Sequence, residues 1–167
     1  MQSETAARPR IPALRRTARA GSALGVVCLL ALAPASRAND ASLEHAMKAY
    51  KSRLTTDISY LSNFAAPSRA AAAGVLTKLS KVSRDLTDAR NTLKGQRAST
   101  SSVAKGRTEV LQALSDSLAA SADARSSASA ARSDKRATAA RDAKAEKHEI
   151  GLAIPLFESG GKALHLF

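Results

Sequence analysis

An all-α fold is predicted for this chain, an antiparallel helical bundle or hairpin of three to four helices that follows a cleaved N-terminal signal peptide. Three observations lead there. Large apolar residues recur at steps of three and four in successive segments, Pro67 and Gly95 fall where those segments end, and alanine, the best helix former, dominates residues 119–149.

Residues 1–38 have the makeup of an export signal. Glu4, Arg8, Arg10, Arg15, Arg16 and Arg19 precede a thirteen-residue apolar run, Gly21 to Ala33, which ends at Pro34. Ser36-Arg37-Ala38 then offers signal peptidase a cut before Asn39. A membrane-spanning helix takes ~20 apolar residues, so a cleaved signal is favoured over an anchor. Cys28 lies between Gly25-Val26-Val27 and Leu29-Leu30-Ala31, which is not a lipobox. Arg15-Arg16 is followed by Thr17-Ala18-Arg19, without the bulky apolar pair of a twin-arginine signal. An organelle transit peptide is amphipathic and lacks so solid an apolar block. The expected location is periplasmic or extracellular.

The bundle core is expected over residues 39–118. Asn39 and Asp40 are good caps for a helix near 41–64, whose stripe is Leu43, Met47, Tyr50, Leu54, Ile58, Leu61 and Phe64. Pro67 and Ser68 interrupt it, and proline fits the first turn of a new helix. That second helix, near 68–94, carries Val75, Leu76, Leu79, Val82, Leu86, Ala89 and Leu93, with heptad spacing from Leu79. Gly95 stands where a helix-ending glycine is expected. Gln96 to Ser102 is a polar loop with a capping hydroxyl near its end, before a third helix near 102–118 with Val103, Val110, Leu111, Leu114 and Leu118. Three such stripes are most simply buried by a hairpin and a third helix returning across it.

Residues 119–149 contain no Leu, Ile, Val, Met, Phe or Tyr, and 12 of the 31 are alanine. Such an extension is helical but has little apolar area to bury, at ~25 cal/mol per Å², so weak anchoring is expected. A helix unbroken from Val103 to Glu149 would reach ~70 Å, against ~36 Å for the first helix. A break between Ser126 and Ser133, with the chain folding back as a fourth helix, is the preferred arrangement. Residues 150–167 regain apolar weight in Ile150, Leu152, Ile154, Leu156 and Phe157, but Gly151, Pro155 and Gly160-Gly161 predict an irregular tail.

Removal of residues 1–38 leaves 20 basic against 13 acidic residues, a net charge of +7, and removes the only cysteine. No disulfide can then staple the exported form. The basic residues fall in two groups, Lys78, Lys81 and Arg84, and Arg125, Arg132, Lys135 and Arg136, which form candidate polyanion-binding patches. No aromatic residues interleave them to stack bases, so specific nucleic-acid binding is not expected. The same charge on an interspersed surface also serves solubility alone.

Catalytic and metal chemistry find little support. His45, His148 and His165 lie on separate segments without metal-ligand spacing. Glu146, His148 and Glu149 are close in sequence, but His148 points away from Glu146, and Asp142 and Glu146 among Arg141, Lys144 and Lys147 have the pattern of a solvated helix. Ser159-Gly160-Gly161-Lys162 lacks the leading glycine, strand and helix of a phosphate loop. None of the 18 serines after Ala38 sits on a glycine-flanked nucleophile turn. No catalytic, cofactor or metal residues are expected. The expected role is that of a non-enzymatic envelope protein acting by contact with a protein partner or with itself. The alternative is a cationic binder of an anionic envelope polymer or of lipid headgroups.

Overall fold

The computed structural model describes residues 39–166, which are all-helical with no strand among them. The signal reading of residues 1–38 lies outside the described residues. Within them five helices succeed one another: α1 at residues 39–48, α2 at Lys51–Ser62, α3 at Ala72–Gly95, α4 at Ser101–Arg132 and α5 at Arg136–Ala163. None of the helices among the described residues is long and apolar enough to cross a membrane.

The single helix expected near 41–64 is two. Tyr50 N–H bonds to Met47 O at 3.0 Å, a tightened turn that separates α1 from α2. The Tyr50 hydroxyl lies 3.1 Å from that of Thr92, which ties this bend to α3. Leu43 and Met47 before the bend and Leu54 and Leu61 after it are all buried. α3 begins four residues later than expected, because Ser68 first organises a turn: its carbonyl accepts from Ala71 and Ala72 and its hydroxyl from Ala71.

α3 and α4 form an antiparallel hairpin. Thr100 caps α4 by accepting from Val103 N–H at 3.4 Å, as the hydroxyl-rich loop predicts. Arg107 of α4 donates to Leu93 O and Lys94 O, at 3.1 and 3.0 Å, so a cation closes the open carbonyls at the end of α3. Asp40 accepts from Ser99 N–H at 2.7 Å and fastens α1 to the same loop. Leu79, Val82, Leu86 and Leu93 from α3 meet Val110 and Leu114 from α4 in the main core.

The third helix does not stop at 118. It continues to Arg132, breaks over Ser133 to Lys135, and returns as α5. The fold-back therefore occurs at the end of the serine-rich stretch. Asp134 takes the left-handed conformation, φ 58°, and Lys135 N–H bonds to Ala130 O at 2.8 Å while Asp134 N–H bonds to Ala131 O at 3.1 Å. This is a Schellman turn with aspartate where glycine is usual.

Residues 119–149 do not project from the bundle: α4 and α5 pack along a seam of small side chains. On α4 the buried positions include Gly106, Val110, Ala113, Ser117, Ala120, Ala124, Ser127 and Ala131. On α5 they include Ala139, Ala143, Glu146, Ile150, Ala153, Phe157 and Gly160. Both sets advance by alternating steps of four and three, a heptad repeat written in small residues. Ser127 Oγ donates to Ala139 O at 2.7 Å across the seam. At the other end a Cβ on Gly160 would stand 2.7 Å from Gly106 O, so the two backbones touch there. These two pairings set one antiparallel register, which places Ala113 opposite Ala153 and Ala120 opposite Glu146.

The irregular tail expected over 150–167 is also corrected. α5 runs through Gly151, Pro155 and Gly160-Gly161 to Ala163. An internal proline costs ~3 kcal/mol. Ile150, Ala153 and Phe157 are buried on either side of it, and that burial offsets the loss. Pro155 itself is exposed, and Gly160 and Gly161 are buried. A second Schellman turn, with His165 at φ 53° and Leu166 N–H on Gly161 O at 2.9 Å, ends α5 and returns Leu164 and Leu166 to the core.

Candidate functional site

An apolar groove of about 310 Å³ opens between α1, α2 and α5. Met47, Leu54, Ile58, Ile154, Phe157 and Leu166 line it, with Lys51, Thr55, Ser59, Ser62 and Glu158 around them. The geometry follows from the local sequence. The bend at Tyr50 aims Met47 and Leu54 at one side, α5 supplies Ile154 and Phe157 at i and i+3, and the turn after α5 brings Leu166 to one end. Ile58 and Ile154 are half-buried, so the apolar floor is wet on one side. Leu152 stands 48 % exposed on α5, the large apolar residue least covered among those described. The stripes were legible in the sequence, but the groove arises where α5 fails to cover α2 fully. That depends on how far apart the helices sit.

A second cavity, of about 430 Å³, lies at the opposite end of the α4–α5 pair, lined by Ala66, Pro67, Ser68, Arg69, Ala131, Asp134, Arg136 and Ala139. It brings together Arg136 and Arg69, which sequence reasoning did not pair. The signal available for Arg69 was its place directly after the Pro67-Ser68 interruption, where the chain turns at the end of the bundle.

The other predicted cationic residues are distributed over exposed faces. Lys78 lies over the ring of Tyr60, 3.9 Å from its centroid, and Lys81 pairs with Asp85 one turn on. The Asp85 hydrogen bond and charge push the Lys81 pKa up. Arg84 is exposed on the same helix. Arg125 and Arg132 are exposed on α4, Lys135 is exposed in the turn, and Arg136 has its Nε 3.5 Å from Asp134. The seven are spread over α3, α4, the turn and the start of α5, and only Arg136 among them lines either cavity.

Two acids among the described residues are buried, and the second of them departs from the sequence reading. Asp57 of α2 is 5 % exposed, and burial, then the nearby Asp85 charge, raises its pKa, with Lys81 and Lys78 opposing. Glu146 is not on a solvated face: it is 0 % exposed and neither carboxylate oxygen has a hydrogen-bond partner. Its heptad position, seven residues after Ala139 and seven before Ala153, carried that information. His148 is exposed, and among the described residues no group of three or more His, Cys, Asp or Glu is placed to hold a metal ion.

Compared with protein-family models, curated proteins and solved structures, the chain finds no match.

Proposed function

We propose that this is an exported, non-enzymatic helical protein of the cell envelope, starting at Asn39 after signal cleavage, that works through protein contacts as an adaptor, holder or assembly subunit. The apolar groove between α1, α2 and α5 is the observation that carries this reading. Its floor of Met47, Leu54, Ile58, Ile154 and Phe157 suits large apolar side chains from one face of a partner helix, as groove-binding helices present them. The mixed rim of Lys51, Glu158 and hydroxyls resembles the polar border of a protein interface. The leader at residues 1–38 supports export, and the scarcity of catalytic constellations supports a role without turnover.

The second reading, a binder of an anionic envelope polymer or lipid headgroups, is favoured by Arg69 and Arg136 on one cavity and by the basic surplus of the chain. Capture from a membrane and envelope extract separates the two. Partners held by the groove are expected to stay bound at 1 M salt and to be lost with Ile154→Asp, which places a charge on the groove floor. Polyanions held by the arginines are expected to elute with salt, to tolerate Ile154→Asp, and to be lost with Arg69→Ala plus Arg136→Ala. Capture that shows the second pattern alone overturns the protein-contact reading.

A further inference from the structure

A wholly buried carboxyl is the least expected group in a seam otherwise built of alanine, serine and glycine. Glu146 is 0 % exposed and both its oxygens lack a hydrogen-bond partner. The register places Ala120 across from it, and the hydroxyls of Ser117 and Ser121, also buried and without partners, belong to the same stretch of α4. An ionised carboxylate at this point has no cation paired with it and no amide to accept from. A neutral acid carries a far smaller desolvation cost, and unlike the carboxylate it can donate as well as accept.

We propose that Glu146 makes the α4–α5 pairing a proton-operated latch, closed while the carboxyl is neutral and released when it ionises. The surrounding charges fit this. Burial raises the Glu146 pKa from 4.5 to about 7, Lys147 beside it on α5 pulls the value down, and Asp123 of α4 pushes it up. α2 also packs against α5, and its inward acid Asp57 lies in the field of Asp85, Lys81 and Lys78 of α3. The other titratable neighbours on α5 are Asp142, which is half-buried one turn before Glu146 and paired with Arg141; Lys144 and His148, both exposed; and Glu149, half-buried.

The direction of the pH effect comes from linkage. A carboxyl that titrates higher in the folded protein than in the unfolded chain contributes its full stability below pH 4.5 and loses it as pH rises towards 7. Across that window the closed form loses up to roughly 300-fold in its equilibrium against forms that expose the carboxyl. α5 is the element to open, because its seam with α4 is made mainly of small side chains, whereas α3 and the first half of α4 share the large leucines. The latch does not depend on the adaptor role and holds whatever binds the groove.

Hydrogen exchange of the full-length chain from pH 5 to pH 8.5, corrected for base-catalysed intrinsic exchange, tests it. Protection of amides on α5 and on α4 beyond Ala120 is expected to fall with rising pH while protection of Leu79 to Leu93 holds. Glu146→Gln, which cannot ionise, is expected to remove that pH dependence. The side-chain carboxyl signal of Glu146, followed by NMR in the unmodified protein, is expected to titrate near neutrality and keeps the test open if the variant does not fold. Titration near 4.5, protection that falls uniformly over all helices, or the same pH dependence in Glu146→Gln would each overturn the latch.

Discussion

Replacement of Leu86 by alanine is expected to lower the unfolding free energy by ~2–5 kcal/mol, the usual cost of deleting a fully buried leucine side chain. Leu86 is 0 % exposed in the centre of α3, one heptad from Leu79, which is equally buried. The loss has two parts: the transfer energy of the missing methyl and methylene groups, and the void that α1 to α4 cannot collapse to fill. Urea denaturation, read as a shift of the midpoint without a change of slope, is the measurement. An unchanged midpoint would mean that this stripe is not packed as described. The double variant with Leu79→Ala tests whether the two sites, two turns apart on one helix, add.

Gly160→Ala should destabilise by ~1–3 kcal/mol, although alanine is the better helix former by about 1 kcal/mol. A Cβ at Gly160 would lie 2.7 Å from Gly106 O and 2.8 Å from Val110 Cγ2, and the first of these is backbone that cannot swing aside. The helices must separate, which loosens Val110 against Phe157 in the next layer and Ala113 against Ala153 beyond it. Gly151 is the internal control, because a Cβ there meets nothing within 4 Å. Gly151→Ala should therefore stabilise α5 by ~0.5–1 kcal/mol. Opposite signs for one substitution at two glycines of one helix isolate the interhelical contact from helix propensity. If both substitutions stabilise, the α4–α5 contact is looser than described.

How much of this could be read in the chain depends on side-chain size. Leucines at steps of three and four stand out from a polar background, so the stripes of α2, α3 and the start of α4 were legible, as was the capping hydroxyl at Thr100. The bend at Tyr50 was not, since a tightened turn keeps the spacing of the stripe and shows itself only through its bond to Met47 O. Between Ala119 and Glu149 the same four-three step is present, but it runs through Ala120, Ala124, Ser127, Ala131, Ala139 and Ala143, whose contrast with neighbouring alanines is nil. A search for large residues passes over it. Pro155 and the glycine pair mislead for a related reason: local propensity argues for an end to the helix, whereas burial against α4 decides the outcome. The candidate site was less legible than the fold, because the groove and the Arg69–Arg136 cavity depend on where α5 lies, and α5 was placed by the small-residue seam.

The backbone contact at Gly106 and Gly160 also bears on how this sequence can drift. With the two helix axes held that close, positions such as Ala120, Ala124, Ala139 and Ala143 admit only the smallest side chains. Ala119, Ala122, Ala137, Ala140 and Ala145 are exposed and face no such limit. The alanine bias of residues 119–149 thus has two origins, one enforced by geometry at alternate steps of three and four and one free to change. Related chains that keep this fold should conserve smallness on the first set and vary in charge and size on the second, so that the hidden seam becomes visible as a pattern of tolerated exchange.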